Sequence, residues 1–171
     1  MNKVILTSLL SMLTGSNLVV AQEASYEREY ESEYQTRITK THINGRYIPK
    51  DIEDAMIELD RLIDEPSKQK LKSVPEEVAV RRIHFTFGRW MILNWGFYEG
   101  SRLSHYLKSK GVTYPDDMAS ALIAWYHRKL NGKPLLIDEL ASFYAEERKN
   151  EVHERLLKGE IIDRAPVIKK N

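Results

Sequence analysis

Glu99, Arg102 and His105 stand within seven residues of one another in the stretch WGFYEGSRLSHY, beside Trp95, Phe97 and Tyr98. A carboxylate, a guanidinium and an imidazole so close together can hold an anion or move a proton. Arg102 and His105 are three apart and can face the same side of a helix. Ser101 begins that helix, so its free backbone N–H groups and positive terminus can accept an anion. Trp95, Glu99, Ser101, Arg102 and His105 therefore form the candidate ligand site, suited to a carboxylate, a phosphate or a sugar stacked on an aromatic. The competing structural reading has Arg102 paired with an acid, Ser101 acting as a cap and the aromatics packed inward, the commoner fate of aromatics at helical spacing.

His84 is the second candidate, as a general base or ligand. It lies opposite a stripe of Arg82, Thr86 and Arg89 and is expected to be buried. A core histidine bonded to a backbone carbonyl or a carboxylate is the favoured reading. No histidine follows at i+4, and there is no HExxH or cysteine, so no metal site is expected. His127 shares a polar stripe with Ser120 and Asn131 and is expected to be exposed and without function. There is no Gly-rich phosphate loop, GxSxG elbow or cysteine nucleophile, and no cofactor is expected. Glu99 with a second acid such as Asp116 can cleave a glycoside only at the right carboxylate spacing, which sequence does not supply.

The elements that must position these groups are helical. Ile52, Ala55, Met56, Leu59, Leu62 and Ile63 recur at helical spacing, with Asp51, Glu53 and Asp54 at the helix start. A short helix over 66–72 follows. SVPEE and TYPDD then read as two copies of one start signal. Ser73 or Thr113 is the cap, Glu76 or Asp116 reaches back to it, and Pro75 or Pro115 sits in the first turn. The first copy opens a helix to about Trp95, with Ile83, Phe85, Phe87, Trp90, Met91 and Ile92 covering most of its circumference, as in a central helix packed on several sides. Gly88 lies inside it, implying close approach of another helix backbone. A capped helix over 101–110, the TYPDD helix to Leu130 and a last helix over 138–158 complete the set. Glu147 and Arg148 break the apolar stripe of the last helix, whose second half is expected to project.

Ahead of them, THINGRYIP suggests a hairpin turning at Asn44-Gly45. Residues 22–43 are polar and Tyr/Glu-rich. Tyr26, Tyr30 and Tyr34 recur at helical spacing while glutamates at 27, 29, 31 and 33 alternate, so the periods conflict and the composition suits a linker. The expected architecture is all-α: a compact bundle of five or six helices over 44–158, with a short extended or hairpin N-terminal segment and a tail over 159–171.

The chain opens MNKVILTSLLSMLTGSNLVVAQEAS. Lys3, the apolar run Val4–Val20 and small residues at Val19 and Ala21 have the order of a secretory signal peptide, residues 1–21, cleaved after Ala21. Export to the periplasm or beyond is the expectation. Losing Lys3 with the leader takes the formal charge from +1 to zero, so no strong field draws the chain to nucleic acid. After the leader no apolar run is long enough to span a bilayer. There is no cysteine, so disulfides are excluded and stability must come from packing.

Three segments, NGRYIPKDIEDAMIELDRLI, HFTFGRWMILNWGFYEGSRLSHYLKSKGV and YPDDMASALIAWYHRKLNGK, resemble in order an uncharacterised bacterial family, domain of unknown function 6794, over about Asn44 to Tyr144. The resemblance implies a small helical domain with a Trp-rich middle and no established activity. Asn94, Trp95, Gly96, Ser101 and Arg102 match the family pattern, whereas Ile92-Leu93 stands where the family carries Arg-Asn. The leading functional expectation is a non-catalytic binding module of the cell envelope, its partner an envelope protein or a small anionic or sugar ligand. The alternatives are an envelope hydrolase using Glu99, Arg102 and His105, and an immunity-type inhibitor of an envelope-acting toxin.

Overall fold

The computed structural model describes Gln22 and residues 25–159. The expected leader, and the expected tail apart from Gly159, lie outside the described residues. Residues 25–37 form helix α1, which resolves the conflicting periods of this stretch in favour of the tyrosine spacing. A two-stranded antiparallel hairpin follows, β1 (His42–Ile43) and β2 (Arg46–Tyr47), with His42 opposite Tyr47 and Ile43 opposite Arg46. Asn44 and Gly45 both have positive φ, 49° and 74°, the signature of the tight hairpin turn that this pair favours. The hairpin lies on the helical body: the Tyr47 hydroxyl donates to Asp54 Oδ2 at 2.7 Å, and Ile48 beyond it is fully buried.

Seven α-helices come next: α2 (Ile52–Leu62), α3 (Glu65–Lys72), α4 (Glu76–Ile83), α5 (Arg89–Asn94), α6 (Arg102–Ser109), α7 (Pro115–Leu130) and α8 (Ile137–Leu157). The count exceeds the expected five or six because the single helix expected from Pro75 to Trp95 is interrupted. A π turn over His84–Gly88 separates α4 from α5, the Arg89 N–H reaching back five residues to the His84 carbonyl. Such turns usually occur as single insertions within α-helices.

The centre of the bundle is α7 rather than the α4–α5 run. Met118, Ala119 and every residue from Ala121 to His127 are buried, and α7 packs against all the helices from α2 to α8. The α4–α5 run lies against α7 with one side only: Met91 and Ile92 are buried, whereas Phe85 is 83% exposed. Gly88 is buried in that contact, but what it accommodates is side chains. A Cβ there would lie 3.4 Å from His84 Nδ1 and 3.5 Å from Ile123 Cδ1.

The two expected start signals mark real helix starts but not capping boxes. Pro75 and Tyr114 are the cap residues, and neither makes a side-chain cap bond. Ser73 instead ends α3, its hydroxyl donating to the Lys70 carbonyl. The freed acids tie helices together. Glu76 accepts two bonds from Arg128 at 2.9 Å, joining α4 to α7, and Asp117 accepts two from Arg148 at 2.8 and 2.7 Å, joining α7 to α8. Two-pronged arginine–carboxylate pairs are directional as well as attractive, so they fix how these helices are turned.

Tyr144 on α8 sits beside both pairs. Burial, reinforced by the carboxylates of Asp117 and Glu76 and opposed by Arg128, pushes its phenol up to about 12. The neutral phenol is thus favoured by the fold. Its contribution is fully present below the unfolded value near 10 and is lost as pH rises through about 12, amounting to about 3 kcal/mol. Urea unfolding of the wild type and Tyr144→Phe at pH 9 to 12 checks this: the stability difference should move against the wild type only above pH 10.

Candidate functional site

The residues of the Trp95–His105 stretch are all ordered by the fold, but they do not converge. Trp95 is 1% exposed and packs its ring 6.0 Å from Trp90 and 6.3 Å from Phe97. Ser101 is wholly buried and caps α6. Its hydroxyl accepts from the Ser104 N–H, and the Ser104 hydroxyl accepts from the Ser101 N–H at 2.8 Å, so cap donors that would meet an anion are occupied internally. Arg102 turns to the hairpin. Its Nε donates to the Ile48 carbonyl at 2.7 Å, and its guanidinium lies 5.2 Å over the Tyr47 ring and 4.0 Å from Asp54. His105 turns elsewhere, its Nδ1 2.9 Å from the hydroxyl of Tyr34. Glu99 is exposed, and its backbone carbonyl accepts two bonds from Arg37, at 3.0 and 2.7 Å.

The contacts of His105 and Glu99 share α1, which the linker reading of 22–43 left out. Tyr34 stacks with Tyr30 and lies under Lys108, whose ammonium is 5.2 Å from the ring centre. Gly100 has φ +94°, and a Cβ there would stand 2.4 Å from two atoms of the Tyr34 ring. Only glycine combines that backbone angle with so close an aromatic contact. The tyrosine repeat was the signal for this docking; its target could not be read from local spacing.

Between α1, the hairpin and the Trp95–Gly100 turn lies a cleft of about 600 Å³, within the range of about 300–1,000 Å³ common for small-molecule sites. Glu99, Gly96 and Gly100 form one wall. Thr36, Arg37 and Lys40 come from α1 and the segment after it, and His42 and Asn44 from the hairpin. Of the predicted site residues, Glu99 alone lines it.

His84 is held from both ring nitrogens by α7, Nε2 3.2 Å from Asp116 Oδ1 and Nδ1 3.1 Å from Ser120 Oγ. It bonds a carboxylate, as expected of a structural histidine, but its side chain is partly exposed at 16%, where full burial was expected. The arrangement braces the π turn against α7. His127, expected to be exposed, is 3% exposed, with Nε2 2.8 Å from the Val74 carbonyl and Nδ1 3.9 Å from Glu76 Oε2, beyond hydrogen-bond distance. It lies on the stripe facing α3 and α4, which a one-helix view takes for solvent. Among the described residues no group of three or more His, Asp or Glu is placed to hold a metal ion, and no helix is long and apolar enough to cross a membrane.

A seven-helix domain wound around α7, with its Trp-Gly turn leading into a serine-capped helix, is the class this geometry defines. Residues 48–130 match the family model described as Domain of unknown function (DUF6794), and over that span the chain belongs to this family. The match runs from the residue after the hairpin to the end of α7, so α1, the hairpin and α8 lie outside it. Neither the curated proteins nor the solved structures contain a match to the chain.

Proposed function

We propose that the chain is an exported, non-catalytic binding module of the cell envelope, taking a small anionic or sugar ligand in the cleft between α1 and the Trp95–Gly100 turn. The cleft is the observation that carries this reading. Its Lys40 ammonium makes no salt bridge or hydrogen bond among the described residues, and hydroxyl and amide groups of Thr36 and Asn44 stand around it. Glu33, paired with Arg37 at 3.1 Å, and the exposed Glu99 also line the cleft, so the lining is hydrophilic and mixed in charge, and Lys40 is the cation left to meet a negative group. The leader-like order of Lys3, Val4–Val20 and Ala21 supports export. Hydrolysis by Glu99, Arg102 and His105 gains no support, because Arg102 and His105 are committed in different directions.

The test is calorimetric titration of the protein with N-acetylmuramic acid, a carboxylated wall sugar, and with neutral N-acetylglucosamine. The acidic sugar should bind more tightly, and Lys40→Glu should weaken it at least about tenfold, the loss of one charge-assisted contact. Equal binding of both sugars, or of neither, overturns the ligand assignment. Export is checked by N-terminal sequencing of the protein from its natural host: an N-terminus at Gln22 supports it, and a retained Met1 rejects it.

A further inference from the structure

Beside the π turn, between α2, α3 and α4, the surface opens into a second cavity, of about 420 Å³. The end of α2 contributes Leu62 and Ile63, α3 contributes Leu71, and α4 with the π turn contributes Ala79, Ile83 and Phe87. The apolar surface continues past the cavity, where Phe87 stacks on Trp90 with ring centres 5.4 Å apart and planes 3° from parallel, and both join Leu62 around a shallower patch. The rim is polar and cationic. Lys70 and Arg82 are exposed there, and the side chain of neither makes a salt bridge or hydrogen bond among the described residues. The facing carboxylate, Asp64, is engaged in capping α3, accepting from the Ser67 N–H at 2.8 Å. Every lining residue falls within the span that matches the family, so this cavity belongs to the domain itself and is separate from the α1 cleft.

We propose that this groove binds a free fatty acid, with the alkyl chain along Leu62, Leu71, Ala79 and Phe87 and the carboxylate between Lys70 and Arg82. An apolar trough holds a chain without directional contacts, so the rim decides the head group. Two cations against one carboxylate leave a single positive charge, which one carboxylate neutralises. A doubly charged phosphate monoester would meet Asp64 with charge in excess. An uncharged head would leave the arginine fork, whose geometry matches a carboxylate, without its partner. A volume near 420 Å³ lies within the small-molecule range of about 300–1,000 Å³.

The experiment is a fluorescence titration of the whole protein with saturated fatty acids of eight to fourteen carbons, each below its micelle concentration, alongside dodecanol and dodecyl phosphate. Trp95 and Trp125 are buried at 1% and 0% exposure, so an emission change reports Trp90 at the groove edge. Affinity should rise up to about fourfold per added methylene until the groove is full. Dodecanoate should bind at least about tenfold more tightly than dodecanol or the phosphate. Lys70→Gln with Arg82→Gln, at exposed positions that leave the core untouched, should remove that tenfold preference and leave dodecanol unchanged. Ser67→Phe, which fills the groove from its rim, should abolish all binding. No binding by any acid, affinity independent of chain length, or equal binding of dodecanol and dodecanoate overturns the proposal, the last by assigning the groove to an uncharged apolar partner.

Discussion

Trp125→Ala should cost the domain about 3–5 kcal/mol of unfolding free energy, a large part of the roughly 5–15 kcal/mol that a domain possesses. Trp125 is wholly buried in the middle of α7, the one helix that touches all the others from α2 onward. Its indole N–H has no partner among the described residues, so truncation removes packing and leaves no hydrogen-bonding group newly unpaired. The loss is then the transfer of a large ring plus the cavity left behind. Trp125→Phe separates these contributions. It keeps most of the apolar contact and removes a buried donor whose unpaired burial itself costs about 1–3 kcal/mol, so it should be far milder, at about 1 kcal/mol or less. Urea unfolding followed by far-ultraviolet circular dichroism gives both numbers. A loss below 1 kcal/mol for the alanine variant would contradict the central position of α7.

Gly100→Val should release α1 from the domain. The backbone at φ +94° is strained for any L side chain, at a cost of about 1–2 kcal/mol, and a branched one is worse placed than most. The new Cβ would also overlap the Tyr34 ring at 2.4 Å. Tyr34 must then leave, taking with it the bond to His105, and Arg37 loses its purchase on the Glu99 carbonyl. Residues 25–37 have few other attachments and should become cleavable by protease at least about tenfold faster. Tyr34→Ala is the companion variant: it removes the docking ring without straining Gly100, so it should reproduce the cleavage with a smaller fall in melting temperature. Wild-type cleavage rates in both variants would mean that α1 is held by something other than Tyr34.

The core of the fold was legible wherever a helix shows a single apolar face, and illegible where a face is shared. The α2 pattern Ile52, Ala55, Met56 and Leu59 is buried as its spacing implies, and Ser101 caps α6. Phe85 misled because continuous α-helical phase was assumed. From Ala79 to Met91 there are twelve residues, which at about 100° each place the two side chains about 120° apart. One extra residue in the π turn takes back about 100°, so both meet α7 while Phe85 swings to solvent. Asp116 and Glu76 misled in a different way. A local cap satisfies an acid at short range, but a partner elsewhere in the chain, His84 for Asp116 and Arg128 for Glu76, outcompetes it once the helices pack, and partners 32 and 52 residues distant leave no local mark. The same limit hid the cleft: Glu99 was visible as a candidate, whereas Lys40 and His42 join it only because Tyr34 finds Gly100.

The π turn also makes chain length a variable of this domain. It behaves as a one-residue insertion already absorbed, at the only place along α4–α5 where a longer loop of backbone is braced from outside, by Asp116 and Ser120 through His84. Removing one residue between Phe85 and Phe87 would restore a regular helix and at the same stroke rotate everything after it, carrying Met91 and Ile92 off α7 and Trp90 away from the groove. A deletion that looks like an improvement in local helix geometry would therefore be felt at the core, at the fatty-acid groove and at the Trp95–Gly100 turn together.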